Sequence, residues 1–158
     1  MKFLVLKVFF EGNTILPEYY DLSSSIRGIW GRNLKSIYCL QRNISCSDCG
    51  FSHCIYYNVF EKQSGNNNDY RPYIIWHNTE NKDETEVHFV FFGIFSEYFD
   101  RLMAPILQIQ DRPLLSGNKQ IDLRINRILD FKNNLIFDSK SCNFSEIKTQ
   151  DIEMSPVI

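Results

Sequence analysis

The chain has 158 residues, a formal net charge of −2 and a hydrophobic content of 44%. That length suits one compact domain, and the apolar content supports a buried core. Near-neutrality excludes a protein that coats nucleic acid by bulk positive charge, so any polyanion contact must come from a local patch.

In chain order, residues 2–11 alternate with Leu4, Leu6, Val8 and Phe10 on one side and Phe3, Val5, Lys7 and Phe9 on the other, which predicts a strand with one wholly apolar face. Lys7 breaks the apolar run and no small-residue cleavage site follows before Glu11, so this is a strand rather than a signal peptide. After a loop containing Pro17, the triplet Ser23-Ser24-Ser25 offers N-cap hydroxyls to a helix over about 24–39. Residues 40–70 hold most of the cysteines and the turn-rich stretch Gly65-Asn66-Asn67-Asn68-Asp69, and form an irregular insertion. Strands follow at 71–77 and 85–93, separated by a polar turn. A second helix fits 96–108, with Ser96 as cap, Phe99, Leu102, Met103, Ile106 and Leu107 on one face, and Pro105 predicting a kink or early end. Strands at about 121–128 and 133–138 complete the pattern. The order strand, helix, strand, strand, helix, strand predicts an α+β, ferredoxin-like (RRM-like) domain over residues 1–130. Residues 131–158 are expected to form a terminal hairpin and a linker toward a second domain missing from this sequence.

No run approaches the roughly 20 apolar residues of a membrane-spanning helix, so a cytoplasmic location with no membrane partner is expected. In a reducing compartment, clustered cysteines point to metal rather than disulfides. Cys39, Cys46, Cys49 and Cys54 lie within one short segment, with the knuckle spacing between Cys46 and Cys49 and Gly50 behind it. Four sulfurs saturate a tetrahedral zinc ion and leave no open position, so the expected cofactor is structural zinc. An iron–sulfur cluster fits the same donor set, and four buried thiols without metal are the plain alternative. His53, beside Cys54, could replace one thiolate or be an exposed loop residue.

Residues 1–45 carry six Lys or Arg against three acids, and residues 46–100 three against nine. Positive charge therefore gathers around the first helix. At about 100° per residue, Ile26, Ile29, Trp30, Leu34 and Ile37 fall on one side, and Arg27, Gly28, Gly31, Arg32 and Lys35 on the other. Each interior glycine costs about 1 kcal/mol relative to alanine, so two on one arc imply close approach by another backbone. That backbone is either the chain's own insertion or a phosphodiester strand held by Arg27, Arg32 and Lys35.

The run Ile26-Arg27-Gly28-Ile29-Trp30-Gly31-Arg32-Asn33-Leu34-Lys35, the four cysteines and Tyr56-Tyr57-Asn58-Val59-Phe60-Glu61 together resemble a known signature. It is that of the CRISPR-associated endoribonucleases of the RAMP superfamily, which process precursor CRISPR RNA in antiviral defence. The resemblance implies two tandem ferredoxin-like domains that bind repeat RNA. It also implies cleavage without a catalytic metal ion, by attack of a 2′-hydroxyl that leaves a 2′,3′-cyclic phosphate. This segment lacks the family's glycine-rich C-terminal loop, and residues 111–119 do not supply it. Such catalysis needs a base, an acid and positive charge on the phosphorane. His77 and His53 are the candidate proton carriers. His88, in mid-strand, is expected to be a core or sheet-surface residue, and Tyr19 and Tyr20 are weak donors. Arg32 stands where relatives often have histidine, and arginine cannot exchange protons near neutral pH. The expected partner is CRISPR repeat RNA, with other CRISPR-associated proteins or a second-domain chain as further partners. Two other readings stand beside this one: a non-catalytic RAMP assembly subunit of a CRISPR effector complex, suggested by the aromatic clusters at 56–57 and 89–95, and an inactive metal-stapled fragment.

Overall fold

The computed structural model describes residues 2–11, 21–62, 71–78, 84–116, 119–141, 143–145 and 150–151. Pro17, Tyr19, Tyr20, the 65–69 stretch and Cys142 lie outside the described residues. The elements are β1 (Lys2–Glu11), α1 (Leu22–Tyr38), β2 (Tyr73–Asn78), β3 (Thr85–Phe92), α2 (Phe99–Leu107), β4 (Leu114–Ser116), β5 (Lys119–Ile121), β6 (Arg124–Leu129), β7 (Leu135–Asp138), β8 (Asn143–Phe144) and β9 (Gln150–Asp151). A π-helical turn spans Tyr57–Glu61, and 3-10 turns span Gly93–Glu97 and Gln108–Asp111. The architecture is mixed α+β with few helices.

Six strands run in the order β2-β3-β1-β6-β7-β8, each pairing antiparallel with its neighbours, and β9 also pairs with β1. β1 lies between β3 and β6, and its register sets Leu4 against Phe91, Leu6 against Phe89 and Val8 against Val87. With period-two alternation those six side chains share one face. They pack with Ile26, Ile29, Trp30 and Leu34 of α1 and Leu102, Met103 and Ile106 of α2 in one core. Leu6, Val8, Phe10, Ile26, Trp30 and Leu34 are all fully enclosed. Ile37, the last member of the predicted α1 face, is exposed where the helix runs past the sheet.

Some local expectations change. Asp21, not the serine triplet, caps α1: its carboxylate accepts the Ser24 N–H at 3.0 Å, leaving the serine hydroxyls for other roles. Ser96 does not open α2; it is buried in the preceding 3-10 turn, where its hydroxyl donates to the Gly93 carbonyl at 2.7 Å. Pro105 stands in the last turn of α2, which ends two residues later. The predicted strand over 121–128 is divided between β5 and β6, and β4–β5 form a separate antiparallel pair. Between β6 and β7 the Asp130 carboxylate accepts the N–H groups of Lys132 and Asn134, each at 2.8 Å, and Asn133 takes a left-handed φ of 65°.

Candidate nucleic-acid interface

The polar arc of α1 divides into two stripes at the i, i+4 spacing of a helix. Every member of the first, Ser23, Arg27, Gly31 and Lys35, meets another part of the chain. Ser23 Oγ lies 2.7 Å from His77 Nδ1 at the end of β2. Arg27 Nε donates to the Tyr73 hydroxyl at 2.9 Å. A Cβ on Gly31 would stand 2.7 Å from the Phe60 ring, so this glycine admits the π-helical turn against α1. Lys35 Nζ rides 5.2 Å above the Tyr56 ring, whose hydroxyl donates to Glu61 at 2.7 Å. Burial and that bond to Glu61 push the Tyr56 hydroxyl well above the usual phenol range. Phe60 is held between Trp30, Tyr56 and Tyr73, at ring separations of 5.0, 5.7 and 5.4 Å. The close approach that Gly31 permits is therefore made by a side-chain ring of the segment after the cysteines, not by another backbone.

The second stripe faces outward. Ser24, Ser25, Gly28 and Arg32 line one wall of a cleft of about 350 Å³, with Pro113, Leu114 and Leu115 opposite. A Cβ on Gly28 would meet only Arg32 Nη1, at 3.8 Å, so packing within the chain does not require glycine there. Arg32 is exposed and, among the described residues, joins no ion pair. The cleft offers two hydroxyls, a bare backbone floor and one guanidinium, groups that hydrogen-bond and neutralise a phosphodiester. Sequence reading missed Ser24 and Ser25 as site residues because their position before a helix assigned them to capping. Gly28 lies at i+4 from Ser24 and i+3 from Ser25, and Arg32 at i+8 and i+7, and that spacing is the signal that could have found them.

The predicted proton carriers are far apart in environment. His77, half-buried, is held at the α1 N-terminus by Ser23 of the first stripe, and neither residue lines the cleft. His53 is exposed and lines a different cavity, of about 420 Å³, together with Cys39, Cys49, Cys54 and Arg101. His88 is buried on the opposite face of the sheet, stacked on Trp76 at 3.7 Å, with Nε2 2.8 Å from Glu86. Burial outweighs the attraction of Glu86 and holds the imidazole pKa below its ordinary value.

All four clustered cysteines are half-buried free thiols. Burial, with Glu61 adding to it, raises the Cys46 thiol pKa, and Cys39 and Cys54 are near enough to contribute. The Cys49 thiol points to Gln41 Oε1 at 3.8 Å. Among the described residues, no three His, Cys, Asp or Glu side chains are gathered closely enough to hold a metal ion as they stand.

A family model described as AF_1859_N, N-terminal domain, matches residues 2–151. No curated protein and no solved structure matches the chain.

Proposed function

This chain belongs to the AF_1859_N family as an N-terminal domain, and we propose that it acts as the RNA-binding domain of a CRISPR precursor-RNA-processing endoribonuclease. The observation that carries the reading is the cleft along α1, where Ser24, Ser25, Gly28 and Arg32 form an uncommitted wall suited to a phosphodiester backbone. The proposal includes a ferredoxin-like core. The strand order β2-β3-β1-β6, with both helices packed into one core, supports that assignment.

In this proposal the strand lies across Gly28, with a phosphate oxygen accepting from Arg32 and from a serine hydroxyl. A 2′-hydroxyl gives its proton to a base and attacks the adjacent phosphorus, forming the cyclic phosphate and expelling the 5′ oxygen, which takes a proton from an acid. His77, which Ser23 holds at the N-terminal end of the same helix, is the proton carrier assigned here. Arg32 opposes the charge that grows on the phosphorane. The activity proposed is that of a full-length protein with a second domain, and this chain supplies RNA contacts to it.

The test is binding of repeat RNA by fluorescence anisotropy across a salt series. Salt-sensitive binding that Arg32→Ala weakens, with the fold intact by circular dichroism, is expected. Binding unaffected by either salt or Arg32→Ala sinks the proposal.

A second reading, a non-catalytic assembly subunit, is favoured by the sheet face away from the helices, where Ile74 and Trp76 of β2 are 52% and 44% exposed. Co-purification with other CRISPR-associated proteins that survives nuclease treatment and is lost in Trp76→Glu would favour it over the first.

A further inference from the structure

We infer that the cavity of about 420 Å³ between the end of α1, the cysteine segment and the start of α2 is a nucleotide-binding pocket, which seats a nucleobase against Phe51 and a phosphate at Arg101. That volume lies within the range of about 300–1,000 Å³ common to small-molecule sites. The cavity shares no lining residue with the cleft along α1. Its edge is apolar: Leu40, directly after the C-terminal cap of α1, is 80% exposed, and Phe51 is 50% exposed. Exposed apolar groups gathered around a cavity mark a ligand site, whereas single ones scattered over a surface do not. Among the described residues Phe51 stacks on no other ring, so a planar ligand meets an unused aromatic face. Cys39, Cys49 and Cys54 are half-buried free thiols on the wall and add small, polarizable surface to it.

The polar groups of the lining select among planar ligands. No carboxylate lines the cavity, and Arg101 joins no ion pair among the described residues, so the site favours an anion. Arg101 stands in the first turn of α2, where the positive end of the helix adds to that preference. Tyr38 brings a hydroxyl within reach of the Arg101 charge. Burial raises its pKa while Arg101 pulls the other way, so the phenol keeps its proton and can donate to the same anion. Gln41 separates a nucleotide from a simple apolar acid. Its Oε1 faces the Cys49 thiol at 3.8 Å, and its carboxamide carries the paired donor and acceptor that match the N6 and N7 edge of adenine. One cavity therefore offers a stacking face, a base-reading edge and a cation, the groups that recognise an unpaired purine nucleotide.

The inference is independent of repeat-RNA binding, and its test uses none. The full chain is titrated by calorimetry with AMP, UMP, ribose 5-phosphate and hexanoate. AMP is expected to bind more tightly than UMP, and at least about tenfold more tightly than ribose 5-phosphate or hexanoate. Phe51→Ala and Arg101→Ala should each weaken AMP about tenfold or more, with the fold intact by circular dichroism, and Arg32→Ala should leave it unchanged. Gln41→Leu should bring AMP and UMP toward equal affinity. No heat and no saturation-transfer NMR signal with millimolar AMP overturns the pocket. Hexanoate or ribose 5-phosphate binding as tightly as AMP overturns the nucleotide assignment, and AMP binding that is lost in Arg32→Ala but kept in Phe51→Ala moves the site to the α1 cleft. A single-stranded oligonucleotide that displaces AMP supports a nucleotide of a strand as the occupant, and one that does not supports a free nucleotide. Because AMP is titrated against the natural sequence first, the outcome does not depend on any variant folding.

Discussion

Gly28 and Gly31 share one helix and one sequence motif, yet their surroundings give opposite expectations for the same substitution. At Gly31 an added methyl runs into the Phe60 ring, and overpacking of that kind costs about 1–3 kcal/mol. The gain in helix propensity, about 1 kcal/mol, offsets only part of it. Gly31→Ala should therefore lower the thermal midpoint. At Gly28 the space is open, so Gly28→Ala should raise stability by up to about 1 kcal/mol while weakening RNA binding, because the methyl occupies the floor of the cleft. Thermal melts and anisotropy on the two variants separate an internal packing glycine from a ligand-contact glycine.

His88 gives a pH dependence of definite sign. Its folded pKa is lowered by burial, with Glu86 pulling the other way and Lys7 opposing protonation. An unfolded histidine titrates near 6.5. Below about that pH the unfolded chain takes up a proton that the folded imidazole resists, so stability falls with pH until the lower folded pKa is passed. Above it, this contribution is fully present. His88→Phe, which keeps a ring against Trp76, should flatten the denaturation midpoint between pH 6.5 and the acid limb; an unchanged slope would assign the dependence to other groups.

At the scale of elements, α1 was legible because its apolar side chains recur at 3.6-residue spacing, and β1 because Leu4, Leu6, Val8 and Phe10 make one of its two faces wholly apolar. The π-helical turn at Tyr57–Glu61 was not legible. Its residues satisfy no strong local period, and its position comes from Phe60 entering the aromatic group of Trp30, Tyr56 and Tyr73. The union of α1 with α2 likewise includes a long-range polar contact: buried Asn33 Nδ2 donates to the Pro105 carbonyl at 3.2 Å. Asn33→Leu removes that donor and leaves the carbonyl buried, so a loss of about 1–3 kcal/mol is expected. Chemical denaturation measures it, and a change within about 0.5 kcal/mol would mean that the bond contributes little.

At the scale of the molecule, local charge matters more than net charge. Positive side chains gather near α1 in sequence, but folding assigns them different roles. Arg27 is engaged with Tyr73 and Lys35 lies over Tyr56, while Arg32 faces the cleft. If the cleft takes an RNA backbone, Arg32→Ala should reduce the salt slope of binding by about 1. Arg27→Ala should cost stability as well as any affinity, since it also strands the Tyr73 hydroxyl. Equal effects of the two variants on binding with no effect on stability would show that Arg27 acts as a free cation.

The amino-acid order by itself determined the mixed α+β character, the central strand, the apolar side of each helix and the grouping of four thiols after α1. These depend on periodicity and short spacing, which are properties of neighbours along the chain. Tertiary structure alone decided which glycine is occupied by an internal ring, which arginine faces the cleft, and that Ser24 and Ser25 stand opposite Pro113–Leu115. Those relations join residues far apart in the chain, so they exist only after the sheet has brought its strands and helices together.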